Sequence, residues 1–155
     1  MNYWLLKSEP QVFGIDDLAR APKRTTGWEG VRNYQARNML RDGFRKNDLA
    51  FFYHSSCEVP GVAGVVKVVR EAYADPSQFD SKSEYHDAKA TRDEPRWFAI
   101  DVKLEKRFEP VITLPELREH ERDALRGMVI LRRGNRLSVT PVSEREWRCI
   151  LSLRR

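Results

Sequence analysis

From Trp97 to Phe108 the chain alternates, with Phe98, Ile100, Val102 and Leu104 facing one way and Asp101, Lys103 and Glu105 the other. A period of two marks a strand with one face in a core and one in water. Such a strand leaves backbone donors and acceptors unpaired unless others lie beside it, so the fold must contain a sheet. Its partners are legible. Leu49–His54 and Val62–Tyr73 are rich in β-branched and aromatic residues and are joined by the turn-forming stretch Ser55–Gly61. Tyr3–Lys7 is a short run, apolar on both faces, that ends at Ser8-Glu9-Pro10. Leu137–Val142 alternates again, and Pro141 places it at an edge or a strand end.

Helices are expected to be short. Ile15–Ala21 puts Ile15 and Leu18 on one side and Asp16 and Asp17 near the positive end. Asn33–Arg41 has Asn33 as N-cap, Ala36, Met39 and Leu40 inward, a basic face with Arg37 and Arg41, and Gly43 as its stop. Thr113–Glu116 and Ser143–Glu146 fit the capping box, so two more short helices follow them. Asp75–Pro95 is a long polar connection, of the kind that is functional or mobile, and could form a lid. Strands outnumber helices, with no βαβ rhythm and no internal repeat. The expectation is an α+β fold: a small, mostly antiparallel β-barrel with peripheral short helices. At 155 residues the chain is expected to form one domain, residues 1–155.

No apolar run approaches the roughly 20 residues that cross a bilayer, and MNYWLLKSEP lacks the features of a secretory signal. No membrane association and a cytoplasmic location are therefore expected. Cys57 and Cys149 are far apart, without CxxC spacing, and read as reduced thiols. The formal net charge of +5 raises the odds of a polyanionic partner.

Two segments concentrate functional residue types. Trp28-Glu29-Gly30-Val31-Arg32-Asn33-Tyr34-Gln35-Ala36-Arg37 combines two aromatic rings, two guanidinium groups and two amides: rings stack on bases, amides read base edges, and arginines contact phosphates. Core packing of Trp28 and Tyr34 with solvated arginines accounts for the same residues equally well. The second segment is Phe51-Phe52-Tyr53-His54-Ser55-Ser56, where alternation puts Tyr53 and Ser55 on one face and His54 on the other. An isolated histidine at a strand end is more often structural than catalytic. Trp147 belongs in the core, whereas Trp4 and Trp97 begin strands and fit either role. There is no GxSxG elbow, no phosphate-binding glycine loop, no cysteine at a helix start and no metal-ligand spacing around His86 or His120. Paired acids such as Asp16-Asp17 and Asp93-Glu94 suit helix starts and loops. No catalytic site, metal or cofactor is called for.

Tyr3-Trp4-Leu5-Leu6-Lys7-Ser8-Glu9-Pro10, followed by Trp28 to Asn38, Phe51-Phe52-Tyr53-His54-Ser55, Gly64 to Tyr73, Pro95-Arg96-Trp97 and Arg136 to Val142, closely resembles the EVE domain family in order along the chain. The resemblance implies a PUA-like barrel related to the YTH domains that bind methylated adenine in RNA. It also implies a reader of modified bases, notably modified cytosines such as 5-methylcytosine in DNA. Within Tyr85-His86-Asp87-Ala88-Lys89, His86 and Ala88 stand where relatives often have Tyr and Pro, which bears on the loop and not on the fold.

The expected function is thus a non-enzymatic nucleic-acid-binding module that flips one modified base into an aromatic pocket. Trp28 and Trp97 would sandwich the base. Ser8, Asn33, Tyr34, Tyr53, His54 and Ser55 would meet its polar edges, and Lys7, Arg32 and Arg37 would hold phosphates. A monomer is the favoured state. The alternatives are a reader of modified RNA, a nucleotide- or small-anion-binding protein, and an enzyme with His54 as acid–base group.

Overall fold

The structure, a computed structural model, describes residues 1–154. Its six strands are β1 (Tyr3–Ser8), β2 (Thr25–Trp28), β3 (Leu49–His54), β4 (Gly61–Ala74), β5 (Phe98–Thr113) and β6 (Val139–Val142). They form one sheet in the order β2-β5-β4-β3-β1-β6. Every pairing is antiparallel except β1 with β3, which runs parallel with Tyr3 opposite Leu49 and Ser8 opposite His54. A parallel pair requires a crossover. Here it consists of α1 (Pro10–Phe13), α2 (Ile15–Arg20), β2, α3 (Tyr34–Asn38) and a π-helical turn at Met39–Gly43.

A mostly antiparallel β-barrel with peripheral short helices was the expectation; the mixed sheet and short helices are present, and the pairings give a sheet with two edges, β2 and β6. The alternating segment that fixed the sheet is β5, longer than its periodicity shows, and register shifts along its pairing with β4 bend the two strands together. Pro141 stands in edge strand β6 opposite Trp4, where its missing N–H breaks no ladder across the sheet.

Core lies on both sides of the sheet, which is why β1 and β3 read as apolar on both faces. Trp4, Leu6, Ala50 and Phe52 enter one cluster with α2, α3 and Trp28. Leu5, Phe51 and Tyr53 enter the other, with α4 (Leu114–Arg118) and α5 (Glu144–Ser152). Trp147 of α5 stacks on both Phe51 and Tyr3, at 3.9 and 4.6 Å between centroids. Trp4 resolves to the core as well: it stacks on Phe44, and its indole N–H donates to the buried Asp48 carboxylate. Both capping boxes form, Thr113 with Glu116 and Ser143 with Glu146.

The helix expected over Asn33–Arg41 is shorter. Asn33 caps it by accepting from the Ala36 N–H, and after Asn38 the chain widens into the π turn. Two elements have only faint sequence signals: α1, where Ser8-Glu9-Pro10 reads as a turn, and β2, whose four residues include a glycine. The segment expected to be a lid is fastened down. The Gln78 amide, fully buried, donates to the carbonyls of Asp75 and Trp97 and accepts from the N–H groups of Arg96 and Trp97.

Candidate functional site

At the carboxyl ends of the parallel pair, Lys7 and Ser8 of β1 and Ser55 and Ser56 after β3 line a cavity of about 770 Å³. The Ser55 N–H donates to the Ser8 carbonyl at 3.0 Å and ties the two strand ends together. β2 and the turn after it supply Thr26 to Arg32, α1 supplies Val12 and Phe13, and the long loop supplies Tyr85. Asn135, Arg136 and Ser138, from the turn before β6, complete the lining. A volume in the range of roughly 300–1,000 Å³ is that of small-molecule sites, and the mixture of aromatic walls with a few polar groups is their usual chemistry.

Charge in the cavity is desolvated. Burial lowers the Lys7 pKa below that of an ordinary lysine. Glu29 moves the other way: burial first, then the nearby Asp75 and Asp101 carboxylates, raise its pKa. Its carboxylate accepts no hydrogen bond from the protein among the described residues.

Arg32 builds the wall between the cavity and the loop. Its Nε and Nη2 donate to the Tyr85 carbonyl at 3.1 and 2.7 Å, and Nη2 also donates to Ser77 Oγ. Nη1 donates to the Val31 carbonyl and to Asp75 Oδ2, the latter at 3.1 Å. A guanidinium has five N–H groups, and these contacts engage all of them. Asp75 is fully buried and also accepts from the N–H groups of Gly30 and Ser77. Gly30 takes φ +81°, and a Cβ there would lie 2.8 Å from the Tyr85 ring, so both its backbone conformation and the ring's approach require glycine.

Of the residues singled out in the sequence, Lys7, Ser8, Trp28, Arg32 and Ser55 come together around this cavity. Asn33, Tyr34, Arg37 and Trp97 are not part of its lining, and the last three cluster with one another instead. There Tyr34, 46% exposed, stacks on Trp97 at 4.8 Å, and the Arg37 guanidinium lies over Tyr34 at 4.8 Å while Nη1 donates to the Arg96 carbonyl. Trp97 is buried and its indole N–H donates to Asp87, so Trp28 and Trp97 do not flank one cavity. Tyr53 points into the opposite core cluster, 3% exposed. His54 accepts from the Ile15 N–H through Nε2 at 3.1 Å, away from the cavity lining. Phe13, Glu29, Tyr85, Asn135 and Arg136 are cavity residues that sequence reasoning did not select. Glu29 had a signal, since it lies inside the densest cluster, whereas Tyr85 and Asn135 come from loops whose placement only folding decides.

A sheet buried on both faces, with a ligand-sized cleft of aromatic walls and partly desolvated charges at the end of its parallel pair, defines a small sheet-based module that carries a candidate ligand site. The chain belongs to the EVE domain family, whose signature matches residues 2–153. It is 41% identical over 167 residues to thymocyte nuclear protein 1 of Mus musculus, covering 98% of this chain and 73% of that protein. Among solved structures, a protein of Pseudomonas syringae is 46% identical with a TM-score of 0.92, covering 99% of both chains. The human THYN1 protein, solved in complex with 5-methylcytosine-containing DNA, is 40% identical with a TM-score of 0.93, covering 99% of this chain and 97% of that one. These relatives overturn the cytoplasmic expectation, because thymocyte nuclear protein 1 is nuclear by name. Among the described residues no helix is long and apolar enough to cross a membrane.

Proposed function

We propose that this chain, acting as one domain over residues 1–155, binds DNA carrying 5-methylcytosine and receives the modified base in the cavity at the ends of β1 and β3, without chemical turnover. The observation that carries this reading is the cavity itself: a site with ample room for one base, with rings from Phe13, Trp28 and Tyr85 and with polar groups from Lys7, Ser8, Glu29 and Ser55. The DNA complex of the 40%-identical human protein supports the choice of partner. Extruding a base costs a few kcal/mol, which about 1–3 kcal/mol per aromatic contact offsets.

Backbone contact falls to cations that still have free donors. Arg32 has none left, so its role is to hold the wall; Lys7 stands inside the cavity with the base, and Arg37 and the exposed Arg133 and Arg136 face the phosphates. His54, committed to the Ile15 N–H, is a structural acceptor, which supports binding over acid–base chemistry.

The test is a titration of matched DNA duplexes that differ by one 5-methyl group, repeated over a range of salt. The expected outcome is tighter binding of the methylated duplex, by about the 1–3 kcal/mol that a buried methyl group and its pocket supply. Log affinity should fall with log salt by about 0.9 per phosphate contacted. Equal affinity for the two duplexes would refute base reading, and a flat salt response would refute DNA as the partner.

A further inference from the structure

A reader of 5-methylcytosine faces a problem that its methyl pocket cannot solve, because thymine carries the same methyl group on the same ring carbon. The two bases differ along the polar edge. Cytosine presents an N4 amine as donor beside N3 as acceptor, and thymine presents an O4 acceptor beside an N3–H donor. Aromatic walls such as Phe13 and Trp28 serve both equally. Discrimination needs a fixed acceptor in the cavity that meets the amine and repels O4.

We infer that Glu29 is this specificity-determining residue, an inference that rests on the proposed base-reading function. Two carboxylates line the cavity, Glu9 and Glu29. Glu9 is the N-cap residue of α1 and, like Glu29, is exposed, but it lies outside the acceptor-rich corner around Gly27. Glu29 follows β2 directly, and its Oε1 comes within 3.5 Å of the position a side chain would occupy on Gly27. The Tyr73 hydroxyl and Asp101 Oδ1 converge on the same position, at 2.7 and 3.4 Å, so any residue larger than glycine would displace them. The Tyr73 proton is already given to Asp101, at 2.6 Å. Acceptors therefore crowd this corner, and Glu29 has no donor of its own.

Burial and the Asp75 and Asp101 carboxylates disfavour charge on Glu29, and a ligand amine donating to it relieves that penalty. Thymine O4 at the same place adds a further acceptor and raises it. Donors for the remaining acceptors of cytosine stand in the same cavity: Lys7, and Asn135, whose Nδ2 is buried without a partner among the described residues. The set is complementary to a cytosine edge and mismatched at two positions to thymine.

The experiment uses single strands, so that the cost of leaving a base pair does not enter, identical except for one position carrying 5-methylcytosine, cytosine or thymine. Each is titrated against the wild-type protein and Glu29→Gln, followed by fluorescence anisotropy. Wild type should prefer the 5-methylcytosine strand to the thymine strand by about ten- to a hundredfold, the usual discrimination of a two-point base contact. Glu29→Gln can turn its amide to offer either a carbonyl to N4 or an NH₂ to O4, so the preference should shrink to within about threefold. Glu29 makes no hydrogen bond to the protein among the described residues, so its replacement by glutamine breaks none, and an unchanged melting temperature verifies that the variant folds. Wild type that binds the thymine strand as tightly as the 5-methylcytosine strand, or Glu29→Gln that keeps the wild-type preference, overturns the inference while base reading stands. Wild type that does not distinguish 5-methylcytosine from cytosine refutes the base-reading function itself, and this inference falls with it.

Discussion

Replacing Arg32 with methionine separates a wall-holding role from a phosphate-holding one. The substitution keeps most of the apolar stem and removes the charge opposite Asp75. Breaking a buried ion pair by deleting one partner costs about 3–5 kcal/mol, because the other charge stays buried and uncompensated. Two features reduce that figure here. Asp75 retains the hydrogen bonds from Gly30 N–H, Ser77 N–H and Ser77 Oγ, and the Arg32 side chain is 22% exposed, so water partly replaces it. A loss of about 2–3 kcal/mol is expected, equivalent to roughly 5–10 °C in melting temperature for a chain of this size. Urea denaturation should show a lower midpoint with an unchanged slope. Adding Asp75→Asn to Arg32→Met should recover about 1 kcal/mol or more, since the orphaned charge is then removed as well. If Arg32 instead served mainly as a phosphate contact, Arg32→Met would leave stability alone and lower the salt slope by about one. A stability loss below about 0.5 kcal/mol, or additive behaviour with Asp75→Asn, would show that Arg32 does not hold the wall through Asp75.

Glu116 is held down to a pKa of about 2, chiefly by hydrogen bonds from Arg154. Because the folded pKa lies below the unfolded one, this contribution is complete above about pH 4.5 and is lost as pH falls towards 2. Its side chain is 34% exposed, so screening leaves about 1 kcal/mol. Glu116→Gln, which can still complete the capping box, should flatten the acid limb of the stability curve by that amount in urea titrations below pH 5. His54 is lowered, mainly by burial, so its neutral form is favoured in the fold and stability should decline as pH falls below the ordinary histidine value of 6.5. His54→Gln keeps an acceptor near Nε2 and should reduce that decline, whereas His54→Ala leaves the Ile15 N–H unpaired and should cost about 1–3 kcal/mol at pH 7 by denaturation. Reversing Arg133 and Arg136 to glutamate should weaken binding of methylated and plain DNA alike and reduce the salt slope without altering the ratio between them.

The sheet was legible because its main strands obey period two or run apolar between turn signals, and β5 alone implies most of the architecture. β2 was not, because Thr25 to Trp28 is too short and its glycine weakens the strand signal, yet this strand carries Gly27 and leads into Glu29. Openness of the sheet was equally invisible, since periodicity says which face is buried and nothing about whether edge strands meet. At the site, the sequence pointed to Lys7, Ser8 and Ser55, which sit at the ends of recognisable strands, and to Trp28, which stood out by residue type although its strand did not. It also drew in Tyr34, Arg37 and Trp97, which the chain direction after Arg32 carries to a different surface. Arg32 shows the limit most sharply. Its residue type suits a phosphate, and only its partners in the distant segment Asp75 to Tyr85 reveal that its donors are already engaged.

A methylated base that enters the cavity at the ends of β1 and β3 brings its methyl group against the cavity wall. NMR of the complex with DNA carrying a ¹³C-labelled methyl group on the single 5-methylcytosine tests this directly, because contacts from that methyl reach only protons within about 5 Å, the scale of neighbouring side chains. Cross-peaks are expected from the methyl to side chains of the cavity wall, Val12, Phe13, Trp28 or Val31. Cross-peaks confined to residues of the Tyr34–Trp97 surface, or a methyl that remains stacked against its own neighbouring bases, would contradict it.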